Sequence, residues 1–281
     1  MANDLRDFTD LLQARRYDAA NRPPAQAPIF TIQGKVVGCL QSYIIFSGLP
    51  KASKSTFVGA AAASALVPAF QSVWGMKLQL PVDRPRIGYF DTEMSSFDFY
   101  RQVDKILSLA DKRKLPDHFD AFSMREDMPS KIRGMIEQYL ISNSDCSCIV
   151  VDGLLDLCLD YNDPRETRLV TNWLKRITKQ YDILLIGVLH LGKGQGETLG
   201  HLGSNTDRWS QSTMIIEKNK DAGQFVLKSK YLRSDGDFEQ VAIMNFDGRW
   251  SQVPYIEQIA PIPTKKPKKW LQKKHKKQQK I

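Results

Sequence analysis

The sequence predicts an α/β fold, a mostly parallel sheet covered by helices on both faces, with antiparallel strands at its C-terminal edge. Three observations carry this. Short runs that are apolar throughout, such as 148–151 and 183–189, alternate with helical patterns, and strands of that kind belong to sheets buried on both faces. The stretch Gly48-Leu-Pro-Lys-Ala-Ser-Lys-Ser-Thr56 joins a strand to a helix. After a glycine-rich segment ending at Gly203, three short apolar runs follow one another, at 214–216, 225–227 and 241–244, as antiparallel edge strands do.

Each element follows from local chemistry. Residues 4–20 place Leu5, Phe8, Leu11 and Leu12 on one face of an amphipathic helix, and the proline-rich stretch 22–28 ends it in a stiff connector. Tyr43-Ile-Ile-Phe is a strand ending at Gly48, and an alanine-rich helix runs from Thr56 to Phe70. Residues 86–90 form the next strand, followed by a helix to about residue 110. A short run at 119–122 precedes a helix over 130–142, and the strand 148–151 precedes a helix over 165–181. The run 183–189 is a strand ending at His190. Three regions result: residues 1–27, helix and connector; 28–258, the α/β domain; 259–281, a lysine-rich tail.

Composition narrows the class. Hydrophobic residues at 42% and charged residues at 25% describe a globular chain of 281 residues with a real core, not a disordered one. No apolar stretch is long enough to span a membrane and no signal pattern opens the chain, so a cytoplasmic protein is expected. Cys39, Cys146, Cys148 and Cys158 lack zinc-site spacing and read as reduced thiols. Nine lysines and no acid lie beyond residue 257, so the rest of the chain carries 31 basic and 31 acidic side chains and is neutral. The net charge of +9 belongs to the tail.

The phosphate-loop pattern asks for glycine, four residues, glycine, lysine, then serine or threonine. Gly48 to Thr56 meets it, with Ser53 in place of the second glycine. In such a loop the backbone amides around Pro50, Lys51, Ala52 and Ser53 wrap phosphate oxygens at a helix N-terminus. Lys54 reaches the β- and γ-phosphates, Ser55 ligates Mg²⁺, and Thr56 opens the helix. A serine strained at positive φ is the expected cost if that position needs a left-handed turn. Lys51 either touches phosphate or is solvated. Asp152, closing its strand, suits the metal's water shell. Glu93, beyond the strand 86–90, is placed to take a proton from an attacking water.

The phosphate loop, the strand end Tyr89-Phe-Asp-Thr-Glu93 and Ile149-Val-Val-Asp-Gly153 together resemble RecA-like P-loop NTPases, and most of all the RepA-type branch of hexameric plasmid and mobile-element helicases. The resemblance covers roughly residues 28–250. It implies ATP and Mg²⁺ as cofactors, Glu93 as catalytic base, and His190 as a sensor of the γ-phosphate. It also implies Lys230 and Arg233 as cations that reach a neighbouring subunit's nucleotide, hence a homo-oligomeric ring or filament. DNA, single-stranded, is the partner implied for the Gly192–Gly203 loop. The Lys265–Lys280 tail, with Trp270, fits the same partner through counterion release and stacking. Two other classes share these residues: an ATP-dependent recombination mediator or loader that does not unwind, and a nucleotide-binding regulator with little turnover.

Overall fold

The computed structural model describes residues 8–192 and 200–257. In chain order the elements are α1 (Thr9–Gln13), β1 (Pro28–Ile32), β2 (Lys35–Cys39), β3 (Ser42–Gly48), α2 (Lys54–Ser64), β4 (Met76–Leu78), β5 (Arg86–Asp91) and α3 (Ser96–Leu109). There follow β6 (Phe119–Ser123), α4 (Pro129–Ser142), β7 (Cys146–Asp152), a 3-10 turn (Leu154–Leu157), α5 (Pro164–Gln180), β8 (Leu184–His190) and α6 (Gly200–Trp209). The strands β9 (Ser212–Asn219), β10 (Gln224–Leu232), β11 (Val241–Phe246) and β12 (Arg249–Val253) complete the described chain.

The main sheet has nine strands in the order β12-β11-β10-β9-β3-β8-β7-β5-β6. The six from β9 to β6 are parallel, and β10, β11 and β12 add antiparallel at one edge. This is the P-loop NTPase fold. The three expected edge strands pair antiparallel with one another, β9 with β10 and β10 with β11, and β12 extends the set. On its other side β9 runs parallel to β3, with Ile44 opposite Ser212 and Gly48 opposite Ile216, because α6 carries the chain back along the sheet first.

The central strands are buried along their whole length, as their unbroken apolar runs require. On one face their side chains meet α2 and α3; on the other they meet α4, α5 and α6. Helix α2 is enclosed almost all round, which explains its alanines: a small three-stranded sheet, β2-β1-β4, packs over it from outside. Phe57 of α2 meets the Trp74 ring edge-on at 6.0 Å. Truncating so enclosed a ring to alanine costs about 3–5 kcal/mol.

Two helices differ from expectation. Helix α2 stops at Ser64 rather than near residue 70, since Pro68 disfavours helical backbone before it. Ser64 also turns its hydroxyl back onto the Ala61 carbonyl at 2.6 Å and accepts the Leu78 amide at 3.0 Å, tying the helix end to β4. The N-terminal helix is only the five residues of α1, and Phe8, Leu11 and Leu12 are exposed. Leu5 lies outside the described residues, as do most of the Gly192–Gly203 loop and the whole Lys265–Lys280 tail. Among the described residues no helix is long and apolar enough to cross a membrane.

Candidate active site

Four adjacent strands bring their C-terminal ends to one edge of the sheet: β3 with Gly48, β8 with His190, β7 with Asp152 and β5 with Asp91. Gly48 pairs with His190, and Asp152 with Asp91, in the ladder. Open parallel sheets bind ligands along this edge.

The phosphate loop is wound tightly here. Lys51 (φ 63°) and Ser53 (φ 64°) are both left-handed, so the position where serine replaces glycine does need positive φ. The Ser53 hydroxyl caps nothing. Its carbonyl accepts the amides of Thr56 (3.1 Å) and Phe57 (3.3 Å), starting α2. A helix start leaves its first amides without intrahelical acceptors, so those of Lys54 and Ser55 are available to an anion. At Gly48 a Cβ would stand 2.7 Å from the Ile216 carbonyl, so only glycine fits. Pro50 and Ala52 shape the same loop, where the Ala52 amide bonds the Leu49 carbonyl at 3.1 Å.

Lys54 is 6% exposed. Its ammonium donates to the Leu49 carbonyl at 3.2 Å and to His190 Nδ1 at 3.0 Å. A lysine can only donate, so Nδ1 accepts and the imidazole carries its proton on Nε2. That Nε2–H donates to Glu93, 3.0 Å from Oε1 and 3.2 Å from Oε2. His190 therefore links the loop lysine to the expected base. Burial lowers the Lys54 ammonium below its ordinary range, opposed by the nearby carboxylates of Glu93 and Asp152.

Asp152 is buried, and the Tyr89 hydroxyl donates to its Oδ2 at 2.7 Å, with the Ser55 hydroxyl close enough to act on the same carboxylate. Burial raises the Asp152 carboxyl; the Tyr89 and Ser55 hydroxyls and Lys54 pull it back. Ser55 and Asp152 thus sit together, the hydroxyl and carboxylate that a Mg²⁺–triphosphate asks for. Among the described residues no group of three or more His, Cys, Asp or Glu side chains is arranged to hold a metal unaided.

Several residues not singled out in the sequence complete the site. Asp91 is fully buried on the same face as Tyr89. Burial and then Asp152 push its carboxyl up to about 7, against the opposing amides of Met94 and Glu93. Thr92 Oγ1 lies 2.7 Å from Asp156 Oδ2 and 2.9 Å from the Gly153 carbonyl. Gly153 has φ 119°, and a Cβ there would meet Thr92 Oγ1 at 2.2 Å and Glu93 Cγ at 2.8 Å. The glycine after Asp152 is what lets the Glu93 turn close down. Gln102 of α3 donates to the Ser55 carbonyl at 2.5 Å, and Lys105 donates to Gln102 Oε1 at 3.1 Å and Thr56 Oγ1 at 3.3 Å. Beside them opens a cavity of about 670 Å³ that runs from Ser55 past Arg101, Gln102 and Lys105 to Trp250. A strand-to-helix motif could be read locally; Asp91, Gln102 and Trp250 are brought in only by packing.

A family model that describes an AAA domain matches residues 15–196, well over half of the chain. The chain belongs to the AAA-domain family. No curated protein matches it. This AAA domain is a nucleotide-binding P-loop ATPase domain, and the matched segment contains the phosphate loop, Glu93, Asp152 and His190.

Lys230 and Arg233 lie elsewhere. Lys230 sits at the register shift of β10 between Ser229 and Tyr231, and Arg233 follows its last residue; this part of β10 pairs with Met214 to Ser212, whose β3 partners are Phe46 to Ile44. That is two strands across and roughly 7–13 Å down the strand direction from Gly48. Lys230 pairs with Asp207 at 3.0 Å, and the Arg233 guanidinium donates to the Arg208 carbonyl at the end of α6. Neither joins the cluster around Lys54 in the same subunit.

Proposed function

We propose that this AAA domain hydrolyses ATP and couples hydrolysis to single-stranded DNA, as a member of the RepA-type branch of RecA-like ATPases. The observation that carries the ATPase reading is the meeting of Lys54, Ser55, Asp152 and Glu93 at one sheet edge, with His190 joining lysine to glutamate. The loop amides and Lys54 would grip the triphosphate. Ser55 and Asp152 would hold Mg²⁺, which when bound neutralises phosphate charge. Glu93 is the base for the attacking water, kept in place by the Nε2–H of His190 until phosphate draws Lys54 away. The base of the nucleotide would enter the cavity beyond Ser55, against the Trp250 indole. Lys54→Ala should abolish nucleotide binding. Glu93→Gln should keep binding and slow turnover by about 10²–10⁴-fold.

Support for a nucleic-acid partner among the described residues comes from a cleft beside α6. A cavity of about 950 Å³ is lined by Arg208, Lys230, Tyr231 and Arg233, and an adjoining groove of about 510 Å³ by Lys175, Lys179, Trp209 and Arg233. Trp209 is 56% and Tyr231 55% exposed, and the Lys175 ammonium sits 4.1 Å from the Trp209 ring. Exposed rings among cations suit a strand whose bases stack while its phosphates are neutralised. Trp209→Ala should weaken oligo(dT) binding by about 5–100-fold, in line with one lost stack.

The position of Arg233, out of reach of its own nucleotide, favours a second role that serves a neighbouring copy in a ring or filament. Arg233→Ala decides between the two. Turnover lost at saturating DNA supports action in trans; weaker DNA binding with normal turnover supports the cleft. Strand displacement on a forked duplex then separates a helicase from a loader.

A further inference from the structure

We infer that Asp91 is a second acid of the metal site, accepting a hydrogen bond from water bound to the Mg²⁺ that the phosphate loop brings. The inference rests on the nucleotide reading above. Asp91 ends β5 directly opposite Asp152 on β7. Alternation along β5 puts Ile87, Tyr89 and Asp91 on one face, and the Tyr89 hydroxyl reaches Asp152 Oδ2 on that face at 2.7 Å. It is the face covered by α2, whose Ser55 hydroxyl acts on the Asp152 carboxylate. Asp91 is therefore aimed at the Ser55–Asp152 pair.

One of its oxygens is already engaged, since Oδ2 accepts the Met94 amide at 3.0 Å and shapes the turn that carries Glu93. The other, Oδ1, is buried and has no hydrogen-bond partner among the described residues. A turn cap needs only one oxygen. A buried carboxylate oxygen left without a donor is costly, and a hydrated cation at Ser55 and Asp152 supplies the donor. Asp91 is thus a positioning residue for the metal's water shell, and its strand neighbour Glu93 is set at the same time.

The test is a Mn²⁺ titration of the full chain, read by electron paramagnetic resonance in the presence of a non-hydrolysable ATP analogue. Asp91→Asn keeps an oxygen for the Met94 amide and puts a donor where Oδ1 was. Mn²⁺ affinity should fall by about 10–100-fold, as for other outer-shell partners, with metal-free analogue affinity unchanged. Asp91→Ser, which keeps the cap and removes the second oxygen, should fall likewise and carries the test if the asparagine variant does not fold. Unchanged Mn²⁺ affinity in the Asp91 variants, with affinity lost in Asp152→Asn, would leave Asp91 as a turn cap and overturn the inference. Failure of the unsubstituted chain to bind Mn²⁺ with the analogue would overturn the nucleotide reading itself.

Discussion

Replacing Ser53 by glycine probes the phosphate loop at the point where it departs from its pattern. Ser53 is held at φ 64° and ψ 34°, a left-handed conformation that costs a residue with a Cβ roughly 1–2 kcal/mol. Its hydroxyl caps no helix amide, so removing it forfeits no capping bond, and its carbonyl bonds to Thr56 and Phe57 are backbone and remain. Against the relief stands the larger freedom of glycine in the unfolded chain, about 0.4–1 kcal/mol. The two leave a net gain of about 0–1.5 kcal/mol. Urea denaturation without nucleotide should show a higher midpoint with an unchanged slope. Nucleotide affinity should stay within ~3-fold, since the amides that face phosphate are retained. A glycine variant that is clearly less stable would contradict this account, because the serine side chain would then be holding the loop rather than straining it. Lys51 gives a paired measurement. It has φ 63°, so Lys51→Gly should gain similar stability, and any loss of ATP affinity reports an ammonium that touches phosphate.

Other outcomes follow from the same geometry. His190→Ala removes the link between Lys54 and Glu93; misplacement of the base should lower turnover by on the order of 100-fold with little change in ATP affinity, read from steady-state phosphate release. Tyr89→Phe takes a donor from buried Asp152 and should cost about 1–3 kcal/mol in denaturation. Gly153→Ala pushes a methyl group into Thr92 and Glu93 and should depress turnover more than nucleotide binding. The folded Asp91 carboxyl is pushed up to about 7, against about 3.9 when unfolded. A raised acid favours the native state at low pH, so without nucleotide the chain should lose stability as pH climbs from about 4 to about 7, by up to about 4 kcal/mol. Asp91→Asn should flatten that slope.

Short-range pattern accounts for everything legible in the chain alone. Apolar runs of strand length, the lysine loop between strand and helix, and acids at strand ends are local signals, and they suffice to single out Lys54, Ser55, Glu93 and Asp152. Packing supplied the rest. Whether Ser53 is strained depends on a φ that only the folded loop sets. Asp91 and Tyr89 look like ordinary strand residues until β5 lies in register beside β7. The pairing of β9 with β3, the enclosure of α2 by β1, β2 and β4, and the exposure of Phe8, Leu11 and Leu12 all depend on which surfaces meet. The difference is one of range. Propensity and periodicity act within a few residues, whereas the protonation of Asp91, the tautomer of His190 and the cavity under Trp250 arise from groups dozens to hundreds of residues apart, brought together only when the core closes.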